Sequence, residues 1–396
     1  MQAIKDSVHD YIELDELSQA LLDTTEMQRL RRIRQLSTVS LVYPSANHTR
    51  FEHSLGVYHL AHTAADQLSL SPDDAQRVRA AALLHDIGHG PYGHQTEGVI
   101  QRRLNRHHDE VGDLLTGEVA DVLERYGHAP EDIATLIAGG GRYGQLISGD
   151  LDVDRLDYLV RDAHHTGVPY GTVDHGRVLR ALSFYGDELV LEEGNVRTAE
   201  SVLIARTLMN ATVYRHHVSR IAGAMLDRAA EELLDVGAHS SEAFARFTDH
   251  ELLDALSDCE VTTEFARRLR ERDLYKRAFW LDWESVPEAL IGLDYDATRE
   301  LEAEIAARAG CARGNVILDV PGAPTMPESE MRVVVGGRIE RLSVASSLVS
   351  GLDACARDGW RMGVYTADEQ VESVEMAARR VLGLDAAVSD TDSTAF

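Results

Sequence analysis

Apolar residues recur at helical spacing through most of the first 310 positions, and this pattern predicts a mainly α-helical protein. The stretch MQRLRRIRQL, for example, places its apolar side chains near one face of a helix. The helical period is broken by SPD, a favourable helix start, and by GHGP. Helices are therefore predicted over residues 26–35, 51–124 (with these two breaks), 152–165 and 198–236, with several shorter ones to about residue 310. The stretch 198–236 contains no proline and is predicted as one continuous helix.

Short apolar runs bounded by turn residues predict a smaller β content. A strand is predicted over residues 8–14, and LSFYGDELVLEEG is typical of a hairpin that turns at Gly186-Asp187. After Cys311 the pattern predicts strands at 315–320, 332–335, 339–343 and 360–365, with helices at 345–356 and 368–382.

These elements predict a mainly α fold, in which a helical core is followed by a small C-terminal α+β unit. The predicted divisions are an N-terminal strand and helix (1–50), the helical core (51–310), the α+β unit (311–384) and a disordered acidic tail (385–396).

Composition narrows the class of protein. The chain has 396 residues, of which 44% are hydrophobic, so it can bury a large core. No stretch approaches the roughly 20 apolar residues of a membrane-spanning helix, and the N-terminus lacks the apolar run of a signal peptide. Three widely spaced cysteines do not form a disulfide framework or a cysteine-based zinc site. We therefore expect a soluble, cytoplasmic protein without a membrane partner.

The charge is strongly acidic, with 66 Asp and Glu against 39 Lys and Arg, a net charge of −27. Only Lys5 and Lys276 are lysines, a composition typical of halophilic proteins that stay soluble in molar salt. The alternative explanation of this composition is a high-GC genome, which favours Arg over Lys, together with an ordinary acidic surface. Nucleic acid is an improbable partner because phosphate contacts need a basic field, whereas an Arg-lined pocket for a small phosphorylated ligand is compatible with this charge.

Imidazoles and carboxylates occur together in three separated segments, RFEH, LHDIGHGPYGH and DLDVDRLDY. Such mixed ligands suit a borderline divalent metal such as Fe, Mn, Zn or Ni. The adjacent His85-Asp86 pair, with His53 and Asp154, would form a set from three elements and leave positions for water and substrate. Any one of these histidines alone is more often a surface or capping residue, but the ordered set favours a metal centre.

The segments MQRLRRIRQL, YPSANHTRFEHSLGV, LLHDIGHGPYGH, DLDVDRLDYLVRDAHHTGV and ARTLMNATVYRHH occur in this order between residues 26 and 217. In these motifs the chain resembles the HD-domain superfamily of metal-dependent phosphohydrolases, and within it the deoxynucleoside triphosphate triphosphohydrolases and their prokaryotic relatives. The resemblance implies an HD-domain helical core. It also implies hydrolysis of a deoxynucleoside triphosphate (dNTP) to a deoxynucleoside and inorganic triphosphate.

The resemblance also implies roles for individual residues. A divalent ion (Fe, Mn, Zn, Ni or Mg) would be held by His53, His85, Asp86 and Asp154, and a second Mg²⁺ would arrive with the nucleotide. The implied catalytic residues are His89, His94, Glu97 and His108, with His94 as the proton donor. Phosphate contacts are implied for Arg50, Arg155 and Arg206. Tyr158 and Asp162 would hold the sugar, while Gln35, Leu36 and Tyr214 would lie near the sugar and base. For Tyr158 and Tyr214 the alternative is ordinary helix packing.

Other functions stay open at this point. The chain could hydrolyse other nucleotides as a phosphohydrolase or phosphodiesterase, or it could sense nucleotides without catalysis. Nuclease activity is disfavoured by the acidic surface. The resemblance further implies a homo-oligomer, a dimer or tetramer, with an effector nucleotide at subunit interfaces. The C-terminal unit could provide such contacts or simply complete the core.

Overall fold

A computed structural model of the chain describes residues 2–384, and in them most of the polypeptide is helical. The helices are α1 (Glu16–Leu22), α2 (Thr25–Leu30), α3 (Arg50–Gln67), α4 (Pro72–Leu84), α5 (His94–Leu104), α6 (Gly117–Arg125), α7 (Pro130–Ile137), α8 (Gly141–Gly144), α9 (Val153–Thr166), α10 (His175–Ala181), α11 (Val196–Met209), α12 (His217–Asp235), α13 (Ser241–Ala245), α14 (Asp249–Asp258), α15 (Thr263–Glu271), α16 (Tyr295–Ala309), α17 (Leu342–Ala345), α18 (Leu348–Asp358) and α19 (Val371–Val381). The strands are β1 (Gln2–Asp6), β2 (Asp10–Leu14), β3 (Leu182–Tyr185), β4 (Glu188–Leu191), β5 (Lys276–Asp282), β6 (Ile317–Asp319), β7 (Arg332–Val335), β8 (Arg338–Arg341) and β9 (Arg361–Thr366). The prediction of a mainly α fold is confirmed.

Helix α3 is the centre of the helical core and packs against α4 and α9. Its side chains are buried on nearly every face, as expected for a helix surrounded by others. Helix α4 starts where SPD predicted, because the Ser71 hydroxyl accepts a hydrogen bond from the Asp74 amide at 3.2 Å. Helix α9 starts in the same way, with the Asp152 carboxylate accepting from the Arg155 amide at 2.8 Å. These caps determine where the two helices begin. The starting points in turn set the positions of the residues that follow α4 and of those in the first turn of α9.

The helix predicted over residues 26–35 is wrong in its second half, since α2 ends at Leu30. Beyond it the chain runs beside the segment that enters α3. The Arg50 amide donates to the Ile33 carbonyl at 2.9 Å, and the Gln35 amide donates to the His48 carbonyl at 3.0 Å. These long-range hydrogen bonds replace the helical ones, so tertiary pairing overrides the local helical pattern.

The single helix predicted over residues 198–236 is also wrong. Helix α11 ends at Met209, a π-helical turn occupies Asn210–Tyr214, and α12 begins after the extended residue His216. No proline or glycine marks the break in sequence. Single π turns are common at functional sites because they shift side chains out of the regular helical positions.

Within residues 2–384, three small sheets complete the fold. Strands β1 and β2 form an N-terminal hairpin, β3-β4-β7-β8 form a four-stranded sheet, and β5-β9-β6 form a three-stranded one. The hairpin at 182–194 and strands β6 to β9 confirm the predictions, whereas β1 and β5 were missed. Both larger sheets join strands from before and after residue 311, through the pairs β4–β7 and β5–β9. The division of the chain at that residue stays a prediction, and the predicted disordered tail lies outside the described residues.

Across residues 2–384, no helix has the length and apolar character that crossing a bilayer requires.

Candidate active site

Four predicted metal ligands meet where α3, the end of α4 and the start of α9 converge. The His53 Nε2 atom lies 2.8 Å from Asp154 Oδ1 and 4.0 Å from Asp86 Oδ2. The His85 Nε2 atom lies 3.4 Å from Asp86 Oδ1 and 3.8 Å from Asp154 Oδ1. Three segments that are far apart in the chain thus bring two imidazoles and two carboxylates close together, with Asp154 beside both histidines.

The Nδ1 atoms of both histidines, which face away from the carboxylates of Asp86 and Asp154, already have hydrogen-bond partners. His85 Nδ1 lies 2.9 Å from the Ala82 carbonyl, and His53 Nδ1 lies 2.8 Å from the Asp157 carboxylate. In a neutral imidazole such contacts would leave the lone pair on Nε2, directed at the shared point, which is the usual arrangement of metal-binding histidines. No described residue gives the buried His85 Nε2 a hydrogen bond. The donor set therefore fits a divalent cation.

Electrostatics support the same conclusion. Burial alone would lower the pKa of His53, but hydrogen bonds to Asp154 and Asp157 outweigh it and raise the pKa to about 10. The excess of carboxylates thus attracts positive charge to this point. A divalent cation would supply that charge and leave both imidazoles neutral, as ligands must be.

A second group of side chains, His89, His94, Glu97 and His108, lies beside the predicted metal ligands, on the glycine-rich turn before α5, on α5 and in the loop after it. His89 Nε2 is 3.3 Å from Asp86 Oδ1, and its ring stacks on His108 with 4.1 Å between centroids. The Glu97 carboxylate accepts from His94 Nδ1 at 2.7 Å and also contacts His108 Nδ1. Although burial raises the pKa of Glu97, these two histidines lower it below its usual value, so Glu97 stays ionised at neutral pH.

Arg50 is a buried cation with unused donors. One guanidinium nitrogen donates to Asp86 Oδ2 at 2.9 Å, while no described residue accepts from its Nε or its other terminal nitrogen. The guanidinium lies against the glycine-rich turn, where a Cβ atom at Gly93 would stand 2.3 Å from it. Unpaired buried donors on a charged group are costly, which favours an anionic ligand at this position.

A cavity of about 340 Å³ opens beside these groups. It is lined by Gln35, Leu36, Ser37, Val39, His94, Gln95, Tyr158, Asp162, Arg206, Asn210, Tyr214 and Ser219. His94 connects it to the predicted metal ligands through His89, because the two rings lie 4.6 Å apart and His89 Nε2 is 3.3 Å from Asp86 Oδ1. The structure thus brings together the substrate residues predicted around the sugar and base, along with Arg206. Arg155 is not among the lining residues, and instead donates to the carbonyls of Gly149 and Asp150 at 3.0 and 2.6 Å.

Helix α9 forms one wall of this site, and the helical repeat places several site residues on the same face. Asp154, Tyr158 and Asp162 follow each other at intervals of four residues, which places them along one helix face. Asp162 accepts hydrogen bonds from the Tyr214 hydroxyl at 2.7 Å and from His48 Nε2 at 2.8 Å. Tyr214 reaches this position from the π-helical turn.

Sequence reasoning missed His48 and the group His9, Asp157 and Arg161 behind His53. His48 belongs to the quoted segment ANHTRFEH, two residues before Arg50, so its position beside the other site residues was an available signal. Its partner Asp162 lies 114 residues away, however, and only the folded chain shows the contact.

The helical core and its cluster of two histidines and two aspartates define a class, the HD-domain phosphohydrolases. The chain belongs to this family: the HD domain matches residues 50–162, and the HD associated region matches residues 173–393. An uncharacterized protein of Methanocaldococcus jannaschii is 31% identical over 388 residues, covering 94% of this chain and 81% of that protein.

Two further comparisons bear on function. The human deoxynucleoside triphosphate triphosphohydrolase SAMHD1 is 28% identical over 382 residues, which cover 81% of this chain but only 60% of the human protein. A solved phosphohydrolase from Bacteroides thetaiotaomicron is 26% identical with a TM-score of 0.75, and the match covers 93% of this chain and all of that one.

Proposed function

We propose that this protein hydrolyses dNTPs to a deoxynucleoside and inorganic triphosphate. The observation that carries the proposal is the 340 Å³ cavity: Tyr158, Asp162 and His94 line it, and the His94 ring lies 4.6 Å from His89, whose Nε2 atom is 3.3 Å from Asp86 of the metal cluster. The similarity to the human dNTP triphosphohydrolase supports the same substrate.

The metal end of the site would activate the reaction. A divalent cation held by His53, His85, Asp86 and Asp154 would supply Lewis acidity and make water a stronger nucleophile at neutral pH. Arg50 would bind the phosphates with the donors that its pairing with Asp86 leaves unused. Arg206, on the cavity wall, would bind a further part of the triphosphate and offset charge as it develops.

The proton needed by the departing 5′-oxygen would come from His94. Its Nδ1 atom is held by Glu97 at 2.7 Å, which leaves Nε2 to face the substrate. The side chain of His94 is 65% exposed and lines the cavity, so it can reach a bound nucleotide. A carboxylate behind the ring stabilises the protonated imidazole that the donor role requires.

The sugar end of the site would select deoxyribose. The Tyr158 ring would pack against the C2′ face of the sugar and leave no room for a 2′-hydroxyl. Asp162 already accepts from His48 and Tyr214, and a carboxylate has room for a further donor such as the 3′-hydroxyl. These two contacts hold Asp162 in a single orientation.

The alternative is hydrolysis of other nucleotides by the same metal chemistry. One observation favours it: Arg155 donates to the carbonyls of a loop and is not among the residues that line the cavity. This leaves fewer charged donors for a triphosphate.

Analysis of the products distinguishes dNTP triphosphohydrolysis from the alternative hydrolytic activity. The protein should be incubated with each of the four dNTPs and either Mn²⁺ or Mg²⁺, and the products resolved by ion-exchange chromatography. Triphosphate and deoxynucleoside are expected together from the first time points. Release of orthophosphate or pyrophosphate first would favour the alternative.

Sugar selection gives a sharper prediction. A hydrogen bond to a charged group contributes about 1.5–3 kcal/mol, so a dNTP should exceed its 2′,3′-dideoxy analogue in kcat/KM by roughly 10- to 150-fold. Asp162→Asn should narrow this difference, and Tyr158→Ala should narrow the difference between a dNTP and the corresponding rNTP. Both are measured from kcat/KM for the three nucleotides.

The matched control is Tyr185→Ala, which removes a half-exposed tyrosine from the β3 hairpin outside the cavity. It should leave both ratios unchanged. Equal turnover of rNTP and dNTP by the unaltered protein would contradict the proposed sugar contacts.

A further inference from the structure

The N-terminal hairpin reaches the metal cluster from behind His53, on the side of its Nδ1 atom. His9 lies in the turn between β1 and β2, and its Nε2 atom is 2.6 Å from Asp157 Oδ1. The other oxygen of Asp157 is 2.8 Å from His53 Nδ1. The side chains of His9 and Asp157 are 2% and 0% exposed, so water does not compete for these hydrogen bonds.

A second connection runs through Arg161. Its guanidinium donates to both oxygens of Asp157, at 2.8 and 3.0 Å, and to Asp6 of the same hairpin at 2.9 Å. Asp6 in turn accepts from the backbone amides of Val8 and His9, at 2.9 and 2.8 Å. Asp6 therefore organises the turn of the hairpin and also binds Arg161.

The backbone of α3 is shaped to admit this group. A Cβ atom at Gly56 would stand 1.9 Å from Asp157 Oδ1 and 2.4 Å from the Arg161 guanidinium. Only glycine leaves room for the carboxylate to lie this close to the helix that carries His53.

Asp157 consequently receives four contacts on two oxygens: one each from His53 and His9, and two from Arg161. A carboxylate offers about four lone-pair positions, so this set fills it. Its orientation is then determined by the hairpin as much as by α9. Because Asp157 sets the ring orientation and tautomer of His53, anything that rotates the carboxylate also moves the His53 Nε2 lone pair.

We propose that His9 and Asp6 are positioning residues for the metal ligand His53, acting through Asp157 and Arg161. The hairpin is in this sense part of the metal centre, although it touches neither substrate nor metal ligands directly. The inference rests on the metal site alone and holds whichever nucleotide is the substrate.

Metal affinity of the full chain tests the proposal. The protein is stripped with a chelator and titrated with Mn²⁺, with free Mn²⁺ followed by electron paramagnetic resonance. His9→Leu removes the hydrogen bond to Asp157 and should weaken Mn²⁺ binding by about 10-fold, the lower end of the range for residues behind a ligand. His9→Gln retains an N–H donor and should restore most of the affinity. The visible spectrum of the Co²⁺ form should change in His9→Leu, since the ligand geometry changes.

Tyr11→Ser is the control, because this residue of the same hairpin is 62% exposed and points away from the group. Its Mn²⁺ affinity should equal that of the unaltered protein. A folded His9→Leu variant with unchanged Mn²⁺ affinity and Co²⁺ spectrum would overturn the proposal. If that variant does not fold, Asp6→Asn decides in the same way, because it loses charge toward Arg161 and keeps the acceptor for the turn. Failure of the unaltered protein to bind Mn²⁺ would instead remove the metal site itself.

Discussion

Replacing both His85 and Asp86 with alanine is expected to reduce bound metal to background and to lower nucleotide hydrolysis by more than about 10³-fold. Metal catalysis stabilises a transition state by several kcal/mol, and each 1.36 kcal/mol is a factor of ten. Metal content is measured by mass spectrometry of the purified protein, and hydrolysis by product formation with saturating Mn²⁺.

Substitution of Asp86 also affects Arg50, because its guanidinium pairs with Asp86 in the protein interior at 2.9 Å. Alanine at position 86 leaves that buried charge without its partner, which can cost about 3–5 kcal/mol of stability. Asp86→Asn keeps an acceptor for Arg50 and removes only the charge needed by the metal. It should fold and should still lose most of its metal.

A matched control exists on the surface of α3, where His62 and Asp66 form an exposed pair with 3.4 Å between nitrogen and oxygen. Replacing this pair with alanine removes the same residue types and should change neither metal content nor activity. Full metal occupancy in folded His85→Ala/Asp86→Ala protein would refute the ligand assignment.

The second large effect is expected from His94→Asn, which should lower kcat by about 10²- to 10⁴-fold with little change in bound metal. Asparagine approximates the size of the ring and can still contact Glu97, but it cannot transfer a proton. Single-turnover kinetics with a dNTP measure the chemical step directly. The control is His107→Asn, which alters the histidine that precedes His108. The side chain of His107 is 53% exposed, and this variant should retain full activity.

The pH profile gives an independent check on the donor role. A proton donor must be protonated, so kcat should fall as pH rises through the pKa of His94. In the free protein the pKa of His94 is below its usual value, because partial desolvation by the surrounding site and the positive charge of Arg50 outweigh the hydrogen bond to Glu97. A bound triphosphate, with roughly four negative charges, would raise it again.

Glu97→Gln removes the charge that raises the pKa of His94. The falling limb of the kcat profile should therefore move to lower pH in this variant, and it should vanish in His94→Asn. A falling limb that stays at the same pH in both variants would assign the proton to another group.

Local chemistry in the sequence determined much of the fold. The Ser71-Pro72 pair and Asp152 marked the starts of α4 and α9, because capping depends only on residues within one turn of each other. The helical period placed Asp154, Tyr158 and Asp162 on one face of α9 for the same reason. The ordered histidine and aspartate motifs likewise picked out four side chains, predicted as metal ligands, that the structure brings close together.

Other features were decided only by contacts between distant parts of the chain. The predicted helix over residues 26–35 stops at Leu30, because the backbone that follows pairs with the segment entering α3. The π-helical turn at Asn210–Tyr214 interrupts a helix without any glycine or proline, and it brings Tyr214 to Asp162. Strand β5 lies inside a region that was predicted as helical. It forms a strand because β9 pairs with it, from Lys276 with Thr366 to Asp282 with Arg361.

The same distinction applies within the active site. The sequence by itself determined which residue types could bind a metal, since ligand chemistry belongs to each side chain and its motif. Only the tertiary structure decided which residues lie behind the side chains of the site: His9 reaches Asp157 across 148 positions, and His48 reaches Asp162 across 114. A buried hydrogen bond of this kind leaves no periodic or local trace, because packing selects the partner and sequence spacing does not.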